Sequence, residues 1–501
     1  MKLPLLLPAV AAALLAAGAP SIASADELKI GLQDDLDGLD PARSRTFVGE
    51  VVFESMCDSL VAVGADLAPK PELAEKWAWN ADKTELTLSL FPNLKFQDGA
   101  AIDAAAVKAN LDRATTLPDS MRKSELLSVK SVDVVDGLTV KIGLKQPDPT
   151  LLPQLSNRAG MMLSPASFEK AVTAPACSGP YKFVSRQQNY KIELEKFADY
   201  RNAADYHFDK LTFMIIPDTT VRLANLRSGG LDMLERLAPS DIPAVKSDAK
   251  LQLAQVTSVG YQGMTINVGS NPRASTPLAK DKRVRLALEL AIDRNAINEV
   301  IGSGTFKPAQ QPFTDLSPYH NPAFKVTTRD VAKAKALLKE AGAEKVSFEL
   351  LFANSTTSQQ VAEMIQAMAG EAGFDIKLRA TEFTTMLSQA QSGNYDAVLT
   401  GWSGRYDPDG NLHQFVTCKG SLNYAAFCNE AVDKALNTAK VTPDFEPRKK
   451  LYDEAQTILQ DQLPIIYLYH QPWPFVLSKS LKGFTPNPTG VISIKGVTRG
   501  S

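Results

Sequence analysis

From Val346 to Thr400 the chain alternates apolar runs with amphipathic ones: Val346 to Leu351, Ser358 to Ala372, Phe374 to Ala380, Glu382 to Gln391 and Tyr395 to Thr400. The first, third and fifth have the length and apolarity of buried strands, and the second and fourth have helical spacing. Consecutive strand–helix–strand units require a parallel sheet with right-handed crossovers, which excludes an all-helical or all-β lobe. Gly342 and Gly373 stand where helix ends use left-handed residues. The predicted fold class is therefore α/β. The last strand runs into Gly401-Trp402-Ser403-Gly404-Arg405-Tyr406-Asp407-Pro408-Asp409-Gly410-Asn411. The carboxyl end of such a sheet is where an α/β lobe presents a small ligand. Gly401, Trp402, Ser403, Gly404, Arg405 and Asp407 are accordingly the first candidate ligand-binding residues.

The upstream half reads differently. Glu27 to Gln33, Glu85 to Phe91, Val129 to Asp136, Leu138 to Leu144, Tyr190 to Lys196 and Lys210 to Ile216 alternate as strands. Helical spacing is confined to Val48 to Val61, Asp103 to Ala114 and Thr219 to Arg227. After Lys280, Asp281 to Ile301 reads as one long helix with Val284, Leu288, Ala291 and Ile292 on one face. At the amino end, Lys2, the apolar run Leu3 to Ala17 and Ala23-Ser24-Ala25 have the form of an export signal, residues 1–25. It lacks a lipoprotein cysteine and predicts a periplasmic protein. The mature chain, about 475 of the 501 residues, exceeds what a single core usually supports, so two lobes are expected. A formal net charge of −2 provides no basic footprint for nucleic acid or anionic membrane.

Four cysteines in an oxidising compartment favour disulfides. Cys418 and Cys428 flank one short polar loop, so a local bridge is expected. Cys57 and Cys177 remain as a second pair by elimination, or as two buried thiols. Zinc needs clustered ligands at short spacing, and neither paired CxxC nor helically spaced His is present. Gly401-Trp402-Ser403-Gly404 departs from a nucleophile elbow because Arg405 stands where that motif needs glycine, and Asp407-Pro408-Asp409 does not read as a helix start. Asp34-Asp35 is a carboxylate pair without a recognisable apolar pocket. A secreted hydrolase is thus the weaker alternative, and no cofactor is expected.

Leu39-Asp40-Pro41, Pro71 to Trp77, Leu94 to Gly99, Ser178-Gly179-Pro180-Tyr181 and Arg283 to Arg294 together resemble family 5 of the bacterial extracellular solute-binding proteins. These are receptors of ABC importers for dipeptides, oligopeptides, glutathione, nickel and opines. The resemblance implies a two-lobed periplasmic binding protein-like fold with a hinge and an inter-lobe cleft. Lobe I is expected from 26–265 plus 476–501, with an extra subdomain around 67–170, and lobe II from 266–475. Where dipeptide-binding members hold the ligand ammonium with Asp, this chain has Arg405; where they hold its carboxylate with Arg, it has uncharged Phe352-Ala353-Asn354. A nickel-type His after Tyr-Asp-Pro is replaced by Asp409, with His413 further on. The resemblance therefore implies a small peptide or peptide-like solute carrying an anionic group near Arg405: an opine, glutathione, a modified peptide or a phosphorylated sugar conjugate. Asn354, His413, Arg43 and Arg45 are further candidate contacts, and Tyr181 is read as core. The expected partner is the membrane permease of an ABC importer, served by a monomer; a chemotaxis receptor is the alternative.

Overall fold

The computed structural model describes residues 26–63, 69–269, 271–405 and 407–500. The export signal expected over 1–25 lies outside the described residues, as does Tyr406. Three substantial sheets organise the rest. A seven-stranded sheet runs in the order Leu251–Thr257, Pro472–Ser478, Met233–Leu234, Glu27–Leu32, Lys210–Ile215, Lys191–Lys196 and Tyr181–Gln187. A six-stranded sheet runs Lys307–Pro308, Ile465–His470, Tyr261–Ile266, Ala397–Trp402, Val346–Ala353 and Phe374–Thr381. A four-stranded antiparallel sheet, Ala74–Trp79, Glu85–Leu90, Thr139–Leu144 and Val129–Val134, carries the helix Ala104–Thr116. Asp103 caps that helix by accepting from the Ala106 amide, and Val107 and Leu111 bury against Leu86, Leu88, Val140 and Ile142.

Val346–Ala353 pairs in parallel with both Phe374–Thr381 and Ala397–Trp402, as the βαβ rhythm requires. Tyr261–Ile266 then adds antiparallel on the far side of Ala397–Trp402, so the sheet as a whole is mixed. The segment Asp281 to Ile301 is two helices, Lys282–Ala291 and Arg294–Val300, not one. Ile292 is extended, and the Asp293 side chain accepts from the Ala296 amide, so a local cap ends one helix and starts the next.

The chain passes between the two large sheets twice, over residues 258–260 and at Gln471. The boundaries expected at 265/266 and 475/476 fall inside strands. Tyr261–Ile266 already belongs to the second sheet, and Pro472–Ser478 pairs from its first residue with Leu251–Thr257 in the first. An apolar strand reads alike in either sheet, so composition does not mark the changeover. The two crossings touch: His470 Nδ1 donates to the Gly260 carbonyl at 2.8 Å. A Cβ at Gly260 would lie 2.1 Å from the Trp402 carbonyl oxygen, so no other residue fits there without displacing the end of the site strand.

Candidate functional site

Between the two large sheets lies a cleft enclosing ≈ 1510 Å³ of space, its mouth included. The Ala397–Trp402 strand delivers Thr400, Gly401, Trp402 and Ser403 to one wall. The facing wall comes from the end of Glu27–Leu32 and the start of the helix Phe47–Met56, which bring Gln33, Asp34, Arg45, Thr46 and Phe47. The second crossing supplies Tyr469, Gln471 and Trp473. Thr46 caps the Phe47–Met56 helix by accepting from the Gly49 amide, which holds Phe47 at the cleft edge.

The walls are aromatic and the charges few. Phe47 and Trp473 stack with centroids 4.7 Å apart, and the Arg236 guanidinium sits over both rings, 5.1 and 5.4 Å from their centroids. Arg236 has φ +51, a conformation a non-glycine residue holds only when its surroundings compel it. Its Nη1 donates to Asp34 Oδ2 at 2.9 Å, and its Nε has no hydrogen-bond partner among the described residues. Burial raises the Asp34 carboxyl above its ordinary value, with Arg236 opposing. Arg45 donates to Ser388 Oγ across the cleft at 3.0 Å and lies 4.0 Å from Asp37. Asp34, Arg45 and Arg236 are the charged groups of the described lining, a formal balance of one positive charge.

Of the residues singled out from the motif, Gly401, Trp402 and Ser403 line this cleft with Arg45, whereas Gly404, Arg405, Asp407, Arg43, Asn354 and His413 do not. Arg405 was expected to clamp an anion; its guanidinium instead turns behind Trp402, 4.4 Å over that ring, and donates to Glu50 Oε2 at 2.7 Å on the other lobe. It also donates to the Gly404 carbonyl at 2.7 Å and to Ser403 Oγ at 3.2 Å. Glu50 is 3% exposed; burial alone would raise its carboxyl, yet Arg405 and Arg158 hold it below its ordinary value. Asp407, near enough in sequence to be the partner of Arg405, is bound by Arg448 through two contacts of 2.8 and 3.0 Å. Gly404 has φ +91, and a Cβ there would lie 2.4 Å from the Val259 carbonyl, so its role is to let the site loop seat against the first crossing.

The remaining candidates have structural partners. Arg43 pairs with Asp119 at 2.8 Å, Asn354 is exposed outside the cleft, and buried His413 bonds Asn437 at 2.9 Å. Contrary to expectation, a helix does start after Pro408: Asp409–Val416 places Asp409 in its first turn and Phe415 against Trp402 at 5.0 Å. Asn411 on this helix accepts from the Trp402 indole at 3.1 Å and from the Arg405 amide at 2.6 Å, which fixes the loop. Ser403 is thus separated from the helix by a loop, without the sharp turn of a nucleophile elbow. Asp34 does have an apolar pocket around it, while Asp35 pairs with Arg186 at 2.8 Å. Phe47, Arg236 and Trp473 carried no recognisable local signal, because a helix start and two strands from three distant segments bring them together.

Both cysteine pairs are joined, Cys57 to Cys177 and Cys418 to Cys428. The second bridge closes the loop that sends Leu422 and Tyr424 into the cleft. Tyr181 is fully buried and donates to the Phe208 carbonyl at 2.9 Å, a core residue. No group of three or more His, Cys, Asp or Glu side chains among the described residues is placed to hold a metal ion.

The model of bacterial extracellular solute-binding proteins, family 5 (middle), matches residues 68–423. The chain is similar to the glutathione-binding protein GsiB of Pectobacterium atrosepticum, 28% identical over 489 residues that cover 94% of each chain. Among solved structures it is similar to the Escherichia coli murein tripeptide binding protein MppA, with TM-score 0.88 and 25% identity over 95% of this chain and 99% of that one. AgaA from A. tumefaciens R10, in complex with agropinic acid, matches with TM-score 0.86 and 25% identity over the same shares. Two sheets joined by two crossings, a cleft walled by both and a family model that spans most of the chain agree: this protein belongs to the bacterial extracellular solute-binding proteins of family 5.

Proposed function

We propose that this protein is the periplasmic receptor of an ABC importer, a monomer that closes on a small anionic, peptide-like solute and passes it to the membrane permease. The observation that carries the ligand class is the lining charge: Arg45 and Arg236 against Asp34, set among aromatic rings. A guanidinium presents a planar fork suited to a carboxylate, and Arg236 is already held in place by its rings and by Asp34. Asp34 offers a place for one ammonium, so a solute with more carboxylates than ammonium groups balances the cleft. Glutathione, an acidic peptide or an opine has that balance, and relatives named for glutathione, a murein tripeptide and agropinic acid are in keeping with it. The anion is held from the first lobe by Arg45 and Arg236, not by Arg405. Contacts from both lobes favour the closed form over the open one, which is how a solute signals its presence. Binding without turnover fits Ser403, whose Oγ accepts from Arg405. Residues 1–25, with their lysine, apolar run and small-residue end, support export to the periplasm.

Native mass spectrometry of the mature protein from its own host, followed by a thermal-shift panel of glutathione, neutral dipeptides, opines and sugar phosphates, tests this. The expected result is the largest rise in melting temperature from an anionic compound. Calorimetry of Arg236→Ala should then lose about 2–5 kcal/mol, the range for cutting a desolvated charged contact. Stabilisation by neutral dipeptides alone, unchanged in Arg236→Ala, would sink the charge assignment. Steady release of a chemically altered product would sink the receptor.

A further inference from the structure

Behind the Glu50–Arg405 pair lies a second chamber of ≈ 1440 Å³, its mouth included, which the cleft does not share. Three carboxylates, Glu54, Asp58 and Glu72, stand on its wall with Tyr200 and Tyr206. Most charges around them are matched: Glu50 by Arg405 at 2.7 Å, Glu72 by Arg201 at 2.6 Å, and Lys495 by Asp205 at 3.4 Å. Asp58 and Glu54 form no ion pair with a described residue. Asp58 is 8% exposed, and while its Oδ1 accepts from the Tyr200 hydroxyl at 3.2 Å, its Oδ2 is buried with no hydrogen-bond partner among the described residues. A buried acceptor left without a partner just behind a cavity wall is costly unless a positive charge beside it compensates.

We infer that this chamber is a second binding site and that it takes a small organic ammonium ion. An ammonium standing in the chamber answers the charge of Asp58 and Glu54, and the Tyr200 and Tyr206 rings, 5.6 Å apart edge to face, offer it cation–π contact. Glu54 is open to the chamber's space and yet surrounded by protein; burial first, then Glu72 and Glu50, push its carboxyl up to about 8. Burial and Glu72 likewise raise Asp58. Without a cation the charged forms of these groups are disfavoured, and an ammonium beside them would favour those forms. An organic cation suits the chamber better than a metal ion, since no metal-binding set stands among the described residues. The inference does not rest on the anionic class assigned to the cleft.

Titration calorimetry of the mature protein with propane-1,3-diamine, beside propane-1,3-diol and sodium chloride at matched ionic strength, tests it. The diamine is expected to bind and the diol not to. Asp58→Asn and Glu54→Gln should each weaken the diamine at least tenfold, and Trp473→Ala, in the cleft, should leave it unchanged. No diamine heat up to 10 mM, or equal affinity in wild type and both carboxylate variants, would overturn the site. Equal stabilisation by sodium chloride would overturn the organic class, and loss of diamine binding in Trp473→Ala would overturn its separation from the cleft. Circular dichroism of each variant separates lost binding from lost fold.

Discussion

The Glu50–Arg405 pair lines the chamber and stands behind Trp402 of the cleft, yet aromatic rings dominate the cleft and carboxylates the chamber. In the cleft, Phe47, Trp402 and Trp473 present large apolar faces with three charged groups among them. In the chamber, five carboxylates, Glu50, Glu54, Asp58, Glu72 and Asp407, meet two cations of the described lining, Arg405 and Lys495. Their construction differs too. The bridge beside the chamber, Cys57–Cys177, spans 120 residues, whereas the bridge at the cleft, Cys418–Cys428, spans 10. A surface assembled from distant segments depends on long-range ties, and a loop that carries two lining residues needs only a local one.

The largest effect should come from those ties. Replacing Cys57 and Cys177 with Ser should cost about 5 kcal/mol of unfolding free energy, and replacing Cys418 and Cys428 about 3, because the longer loop loses more entropy on closure. Denaturant midpoints with matched slopes measure both, and equal losses would erase this part of the comparison. Next is the Glu50–Arg405 pair. Arg405→Ala leaves Glu50 buried without its partner across the lobes, at a cost of about 3–5 kcal/mol. Arg405→Met with Glu50→Leu should recover most of it, as apolar replacement of a buried pair often does. If Arg405→Ala instead abolishes ligand binding and leaves stability unchanged, Arg405 serves the solute after all.

A smaller effect belongs to the hinge side of the cleft. Burial, partly offset by the bond to the Gly260 carbonyl, lowers the His470 imidazole from 6.5 to about 4. Between those values the unfolded chain binds more protons than the folded one, so stability falls as pH drops from 6.5 toward 4. The loss is up to about 3 kcal/mol, and His470→Gln should flatten that part of the stability–pH curve. An unaltered curve would show that another group titrates there. The smallest expected effect is Gly404→Ala, roughly 1–3 kcal/mol for a non-glycine residue held at positive φ against the first crossing. Thermal unfolding would measure it, and a neutral result would mean the site loop is not seated on the hinge.

Much of the architecture was legible. Period-2 and helical spacing report which face of an element is buried, and from Val346 onward they marked every strand and helix of the parallel core. The break at Ile292-Asp293 was misread because a single polar cap, Asp293, decides it against a pattern that reads through it, and the helix starting at Asp409 was misread because it follows Pro408 without a side-chain cap to announce it. The end of the Ala397–Trp402 strand was legible as part of a site, and Gly401, Trp402 and Ser403 do line the cleft. The direction of Arg405 was not legible, since its partner Glu50 lies 355 residues away.

The sequence by itself therefore determined the α/β class, the parallel run, the family and the local disulfide, all of which follow from patterns within a few tens of residues. The tertiary structure decided where the chain changes sheets, that Asp34, Arg45 and Arg236 are the cleft's charges, and that Arg405 faces a second chamber. The physical reason is range: burial periodicity is written along the chain, whereas a charge's role depends on which opposite charge folding places within a few ångströms of it.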